Sequence, residues 1–416
     1  MTIYQRLLTA LAIAAMLLSA IGCGGKPPGP ASSSYSSDDV DAKLVNSYNR
    51  FTFKLYKEAL TQTTDQAENI FLSPLSMAFA LSLTLNGAKA DTSDAMMNVL
   101  QLGGTTVDEI NAGNEVLIDL LRRSDQDVKL AIANSIWARE GKPFYEDFLK
   151  RNETYYDARI STLDFGDPSA AATINKWVSE ETGGNIDTII ESPIDGDTIM
   201  FLLNAVYFKG QWTVPFNPKL TKDTTFTAGD GSAVPVAMMQ RTGDMEHLSS
   251  ERYEAVRLPY GQKAWNMTVI LPGEGVPLRD IYDELLDEDA KWREPFEIKS
   301  GTLQLPRFQL EHELHANDVL KQMGMAIAFD QTHADFSGMA AVPPNIYIGN
   351  VKHKTFVEVN EEGTEASAVT SVEMKEESAT VAVDTFHMVV DRPFFFVIED
   401  RTTGVIMFIG TVANPE

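Results

Sequence analysis

The segment Glu361 to Met374, EEGTEASAVTSVEM, is patterned as a strand but spelled like a loop. Gly363 permits a bend or a positive φ, and the residues after it alternate with period two. Thr364, Ala366, Ala368, Thr370, Val372 and Met374 are small or apolar, while Glu365, Ser367, Val369, Ser371, Glu373 and Lys375 are mostly polar or charged. That is the pattern of a strand with one face in a crowded interior. Its inward residues are smallest near Gly363, so it could slide between two other strands without overpacking. The stretch runs straight into MKEESA, Met374 to Ala379, which suits no resting sheet. Taken by itself, the segment is also compatible with an ordinary edge strand and turn. Its mixed spelling points to two states.

A strand of this kind needs a large sheet to receive it, and the rest of the chain supplies one. From about Val40 the pattern is continuous, with no internal repeat and no second low-complexity break. Ala42 to Leu60 carries apolar residues at helical spacing. Ser73 is placed as the N-cap of an apolar helix, Leu75 to Leu85, with Pro74 in its first turn. Lys129 to Ala138 alternates as a strand, and Met200 to Phe208 is apolar on both faces, as a central strand should be. Further strands are expected over Glu254 to Pro259, Trp265 to Leu271, Thr302 to Leu310, Thr355 to Asn360, Ala382 to Val390, Phe394 to Ile398 and Val405 to Val412. Helices before strands, in one long domain, imply the α+β class.

The N-terminus stands apart from this fold. Arg6 precedes an unbroken apolar run, Leu7 to Ala20, of signal-peptide length. The run ends at Ala20-Ile21-Gly22-Cys23, which resembles a bacterial lipobox with Ala20 in place of the usual leucine. A stray thiol in an ordinary cleaved signal is the plainer alternative. Lys26 to Asp39, KPPGPASSSYSSDD, has linker composition. The expected division is therefore a signal peptide over 1–22, a lipidated cysteine and tether over 23–39, and one domain over 40–416. Cys23 is the only cysteine, so with a lipid on it the domain would hold no disulfide, no thiol nucleophile and no cysteine-ligated metal. The 34 basic residues against 59 acidic ones leave a net charge of −25. That argues against nucleic acid and against electrostatic binding to anionic membranes.

Enzyme signatures are lacking. The sequence contains no G-x-S-x-G, no Walker loop, no G-x-G-x-x-G opening a helix and no H-E-x-x-H. His312-Glu313-Leu314-His315 has the wrong spacing for two ligands on one helical turn, and reads as solvated surface at a strand end and turn. No catalytic residue, metal or cofactor is expected.

Several stretches together resemble the serpin family. Phe356-Val357-Glu358-Val359-Asn360 followed by EEGTEASA is similar to the family's strand and hinge. Val390-Asp391-Arg392-Pro393-Phe394-Phe395-Phe396-Val397-Ile398 resembles its C-terminal signature, and Gly404 to Pro415 its closing strand. Asn69 to Ser76 (NIFLSPLS) resembles the helix beneath the sheet, and Leu203 to Trp212 (LNAVYFKGQW) the central strand with the tryptophan at its top. Thr182 to Ile186 and Leu305 to Phe308 fit as well, so the matches span about Val40 to Pro415 in family order.

The resemblance implies an α+β serpin fold. It would have a large central, mostly antiparallel sheet, further sheets, about nine helices and an exposed reactive-centre loop. It also implies inhibition of serine endopeptidases as a suicide substrate, with cysteine endopeptidases as a second target class. The protease cuts the loop, is held as the acyl-enzyme, and is carried off as the loop inserts into the sheet. The hinge would be Glu361, Glu362, Gly363, Thr364, Glu365, Ala366, Ser367 and Ala368. Ser73, Ser76, Asn204 and His353 match the polar cluster that governs opening, and Trp212 would pack where the loop first inserts. The family's spacing puts the scissile bond at Glu377-Ser378. The stretch from there to Arg392-Pro393 is longer than usual, which leaves Lys375 and Met374 as alternatives. The expected partner is a target protease in covalent complex with a monomer. Membrane contact would come only through the N-terminal lipid, on an exported protein facing the periplasm or cell exterior, with secretion as the alternative. The rival reading is a non-inhibitory serpin that acts as a binding or structural surface lipoprotein.

Overall fold

A computed structural model describes residues 35–415 apart from 64, 66, 344 and 365–384. In chain order the elements are α1 (Ala42–Gln62), β1 (Ile70–Leu72), α2 (Pro74–Leu85), α3 (Ala90–Val99), α4 (Val107–Arg123), β2 (Val128–Arg139), α5 (Glu146–Tyr156), β3 (Arg159–Leu163), α6 (Ala170–Glu181) and β4 (Met200–Gln211). The second half adds β5 (Lys222–Thr227), β6 (Ala233–Ser249), β7 (Tyr253–Tyr260), β8 (Trp265–Pro272), α7 (Tyr282–Leu285), β9 (Glu297–Pro306), β10 (Phe308–His315) and α8 (Asn317–Leu320). It closes with β11 (Lys352–Val359), β12 (Gly363–Thr364), β13 (Phe386–Val389), β14 (Phe394–Asp400) and β15 (Ile406–Val412).

These strands form two sheets. One has nine strands, in the order β1-β15-β14-β8-β7-β6-β9-β13, with β5 attached to β6. The other has six, in the order β10-β11-β12-β4-β2-β3. All pairings are antiparallel except β2 with β3 and β13 with β9. The α+β class and the serpin-type sheet arrangement are as expected, with eight α-helices among the described residues.

Helix α2 organises the centre. Every residue in it but Ala80 is buried, because its sequence, PLSMAFALSLTL, is apolar around the whole cylinder. It packs on β4 of one sheet and β15 of the other. Pro74 starts it, as the missing N–H costs nothing at that position. Ser73 precedes it but makes no side-chain cap, since its hydroxyl donates instead to the Met407 carbonyl at 2.9 Å.

One expected strand is two. The stretch Thr302 to Leu310 breaks at Arg307, leaving β9 in the nine-stranded sheet and β10 in the six-stranded one. Pro306 cannot donate a ladder hydrogen bond, and Arg307 N–H turns to the Ala237 carbonyl at 2.9 Å, so the chain changes sheets there. A second correction concerns His312, which lies inside β10 with its Nε2 wholly out of solvent. Glu313 and His315, 3.4 Å apart, are exposed as expected.

Candidate functional site: the hinge and the slot

After β11 the chain turns at Asn360–Glu362 and comes back as β12, a strand of two residues. The Asn360 side chain shapes the turn by accepting from the N–H groups of Glu362 at 3.0 Å and Gly363 at 3.3 Å. Gly363 has a φ of +151°, and a Cβ there would come within 2.0 Å of the Gly210 carbonyl oxygen, so no other residue fits. Strand β12 pairs Thr364 with Val359 on one flank, and Gly363 and Thr364 with Gln211 and Gly210 on the other. Both flanks are antiparallel to it, so β4 and β11 run side by side in one direction. Below Thr364, no ladder joins these two strands among the described residues. A strand-shaped slot therefore exists, with β12 seated at its mouth.

The mouth is held by side chains from distant parts of the chain. The Trp212 indole donates to the Asn360 carbonyl at 2.9 Å and stacks on Tyr260, with centroids 4.3 Å apart at 16°. Its backbone N–H reaches the Glu362 carbonyl at 2.8 Å, and Phe216 N–H reaches that of Glu361 at 2.9 Å. The Tyr260 hydroxyl meets Thr364 Oγ1 at 2.7 Å. Thr364 is only 1% exposed, so its side chain points inward, as the alternation requires. Glu361 is also buried, and its carboxylate accepts from Arg307 Nε at 2.7 Å and Nη2 at 2.6 Å and from the Thr221 hydroxyl. Burial pushes its pKa up, and the Arg307 and Thr221 hydrogen bonds outweigh that and leave it below the usual glutamate value.

Lower down, α2 reaches both sides of the slot. Ser73 N–H donates to His353 Nε2 on β11 at 2.9 Å. One helical turn on, the Ser76 hydroxyl donates to Asn204 Oδ1 on β4, and Asn204 Nδ2 continues to Asn134 Oδ1 on β2 at 2.7 Å. Among the described residues no hydrogen bond joins Asn204 to His353. The expected polar cluster is thus two half-clusters, one per flank, fastened to the same helix. His353 must be neutral to accept from Ser73, and burial lowers its pKa to about 3, with His312 adding to the effect. Just below Thr364, Val206 to Phe208 and Phe356 to Glu358 line a cavity of about 10 Å³ together with Thr182, Asn185 and Ile186, room for about one water.

A family model described as Serpin (serine protease inhibitor) matches residues 46–415. The chain belongs to the serpin family. Serpin B10 of Sorex araneus is 31% identical over 400 residues, covering 89% of this chain and 99% of that protein. The thermophilic serpin tengpin in its native state superposes with a TM-score of 0.79 at 30% identity, covering 92% of this chain and 99% of that one. Human thyroxine-binding globulin, complexed with thyroxine, gives a TM-score of 0.80 at 28% identity, with coverage of 90% and 99%.

In this serpin the described hinge residues Glu361, Glu362, Gly363 and Thr364 meet Trp212 at the mouth. Ser73, Ser76, Asn204 and His353 lie beneath the slot. Glu365, Ala366, Ser367 and Ala368, the candidate scissile residues Glu377, Ser378, Lys375 and Met374, and Cys23 fall outside the described residues. Sequence reading missed Tyr260, Arg307 and Thr221. Only Arg307 left a trace, inside the Leu305 to Phe308 stretch that resembles the family. No group of three His, Cys, Asp or Glu side chains placed to hold a metal occurs among the described residues.

Proposed function

We propose that this serpin traps serine or cysteine endopeptidases as a suicide substrate. The protease nucleophile attacks a loop carbonyl at Glu377-Ser378, or else after Lys375 or Met374. The new amine leaves with the C-terminal part, and the acyl ester or thioester ties the protease to the N-terminal part. That freed part then extends β12 down the slot.

The register of β12 carries this reading. With Thr364 opposite Gly210, each later residue faces the preceding residue of β4, so Glu365 to Met374 match Lys209 to Met200 in order. These ten positions coincide with the alternating segment. Ala366 and Ala368 would come opposite Phe208 and Val206 on the inner face, where large side chains would not fit. Thr370 would come opposite Asn204 on one flank and His353 on the other, offering one hydroxyl to both half-clusters. About ten new strand hydrogen bonds at ~1 kcal/mol net each contribute on the order of 10 kcal/mol. That is comparable to the whole stability of a domain, so only a kinetic barrier keeps an uncut loop out. Thyroxine-binding globulin shares the fold, so the reading rests on the hinge and register and not on the fold.

Ala20-Ile21-Gly22-Cys23 and the tether after it support an exported protein anchored through a lipid on Cys23 and facing the periplasm or cell exterior.

Incubating the protein with a panel of proteases tests the central claim. The expected result is an SDS-stable complex with at least one of them, and N-terminal sequencing of the released peptide then locates the cut. Thr364→Arg, which places a charge at a buried hinge position, should turn inhibitor into substrate. Clean loop cleavage without a complex, for every protease tried, would overturn the reading.

A further inference from the structure

Lys129 and Lys209 face each other directly across β2 and β4, on the outer side of the six-stranded sheet. Like charges placed so weaken a sheet. The lysines on the other flank of the slot are compensated, Lys354 by Glu311 at 2.6 Å and Lys352 by Glu191 at 3.2 Å. Among the described residues, neither Lys129 nor Lys209 has a carboxylate within ion-pair distance. Lys129 instead lies over the Tyr207 ring, with Nζ 5.6 Å from its centroid. In a chain with a net charge of −25, two uncompensated lysines side by side at the edge of the slot call for an explanation.

We propose that Lys209 and Lys129 form an electrostatic seat for the Glu365 carboxylate, which holds the leading end of the inserting strand. This rests on the insertion reading above. Continued by one residue, the register of β12 would put position 365 opposite Lys209, with Lys129 next beyond it. In the inserted strand, position 365 would alternate with inward-facing Thr364 and take the outer face that both lysines occupy. On the other flank the same continuation would bring Glu358 opposite position 365. The filled sheet then carries Glu358, Glu365, Lys209 and Lys129 in one row across four strands, with the charges balanced. Without the lysines, Glu365 would land beside Glu358 uncompensated, and insertion would be opposed at its first step. Lys209 is thus a positioning residue, and the lysine pair is strained until the loop arrives.

The test uses the whole mature chain, cut in the loop by a protease that it does not trap. Insertion is followed by tryptophan fluorescence and by the gain in thermal stability after cleavage. Lys209→Gln, Lys129→Gln and Glu365→Gln should each slow insertion about two- to fivefold, with the effect shrinking as salt rises. Lys209→Arg should keep the wild-type rate. Lys209→Glu should be slower than Lys209→Gln, and exchanging the charges with Glu365→Lys should restore the rate. Wild-type insertion with unchanged rates in the three neutral variants, or no rescue by the exchange, overturns this inference alone. A wild-type chain that gains no stability on cleavage overturns the insertion reading, and this one with it.

Discussion

The two sheets are held together by different means. In the nine-stranded sheet, β14 is paired along its length with β8 and β15, and Phe394 to Ile398 are wholly buried. Phe71 stacks on Phe396 at 5.6 Å and on Phe408 at 5.3 Å, while Phe396 packs against Gly410, where a Cβ would come within 2.7 Å of its ring. In the six-stranded sheet, β4 and β11 are each fully paired on one side only, and the hydrogen bonds that tie them to α2 run from the Ser76 hydroxyl to the Asn204 amide and from the Ser73 N–H to the His353 imidazole. Apolar packing that is broken by opening finds no substitute in water, whereas a hydrogen bond can change partners at little net cost. On the proposed mechanism, the flanks that must part are tied to α2 by exchangeable hydrogen bonds, and the sheet that must stay shut is held by rings.

Phe396→Ala gives the largest expected effect, a loss of about 3–5 kcal/mol. If the nine-stranded sheet is the permanent one, intact and loop-cleaved protein should lose the same amount in denaturant unfolding. A loss confined to the intact form would show that this sheet also takes part in the rearrangement.

Acid should weaken the other sheet first. The folded pKa of His353, about 3, lies below the unfolded value near 6.5, so the unfolded chain binds a proton that the folded chain refuses. Its contribution is complete above pH 6.5 and is lost as pH falls toward 3, at about 1.4 kcal/mol per pH unit. Burial shifts His312 in the same direction. The lowered Glu361 contributes stability that is lost only as pH falls below about 4.5, so it leaves this window clear. Urea midpoints of the intact protein should therefore fall between pH 6.5 and 5, and His353→Gln should flatten the profile. A wild-type profile already flat over that range would refute the account.

Much of this is legible in the sequence, because much of it is local. The apolar circumference of α2, the two-faced apolar run of β4, the C-terminal strands and the alternation after Gly363 are each written in neighbouring residues. The mouth of the slot is not. Tyr260, Arg307 and Thr221 come from β7, the β9–β10 junction and the loop before β5, and converge only because the two sheets meet there. His312 reads as solvated because a short polar run looks so until β11 covers it residue by residue. Spacing reveals that Ser73 and Ser76 share a helix face, but not that the slot separates their partners.

Those two serines give the finest test of the comparison. Ser76 gives its hydroxyl to Asn204 on a flank of the slot, and Ser76→Ala leaves that Asn204 oxygen without its donor. Ser73 gives its hydroxyl to the Met407 carbonyl in the nine-stranded sheet, and only its backbone N–H holds His353. Each alanine variant should cost about 1 kcal/mol. Ser73→Ala should cost it in the intact and the loop-inserted states alike, leaving the insertion rate unchanged. Ser76→Ala should cost it only while the slot is empty, since Thr370 is expected to reach Asn204 once the loop is in, and insertion should quicken severalfold. Paired unfolding curves of intact and cleaved protein would separate the two. Equal behaviour of the variants would mean that α2 does not fasten the flanks of the slot through Ser76.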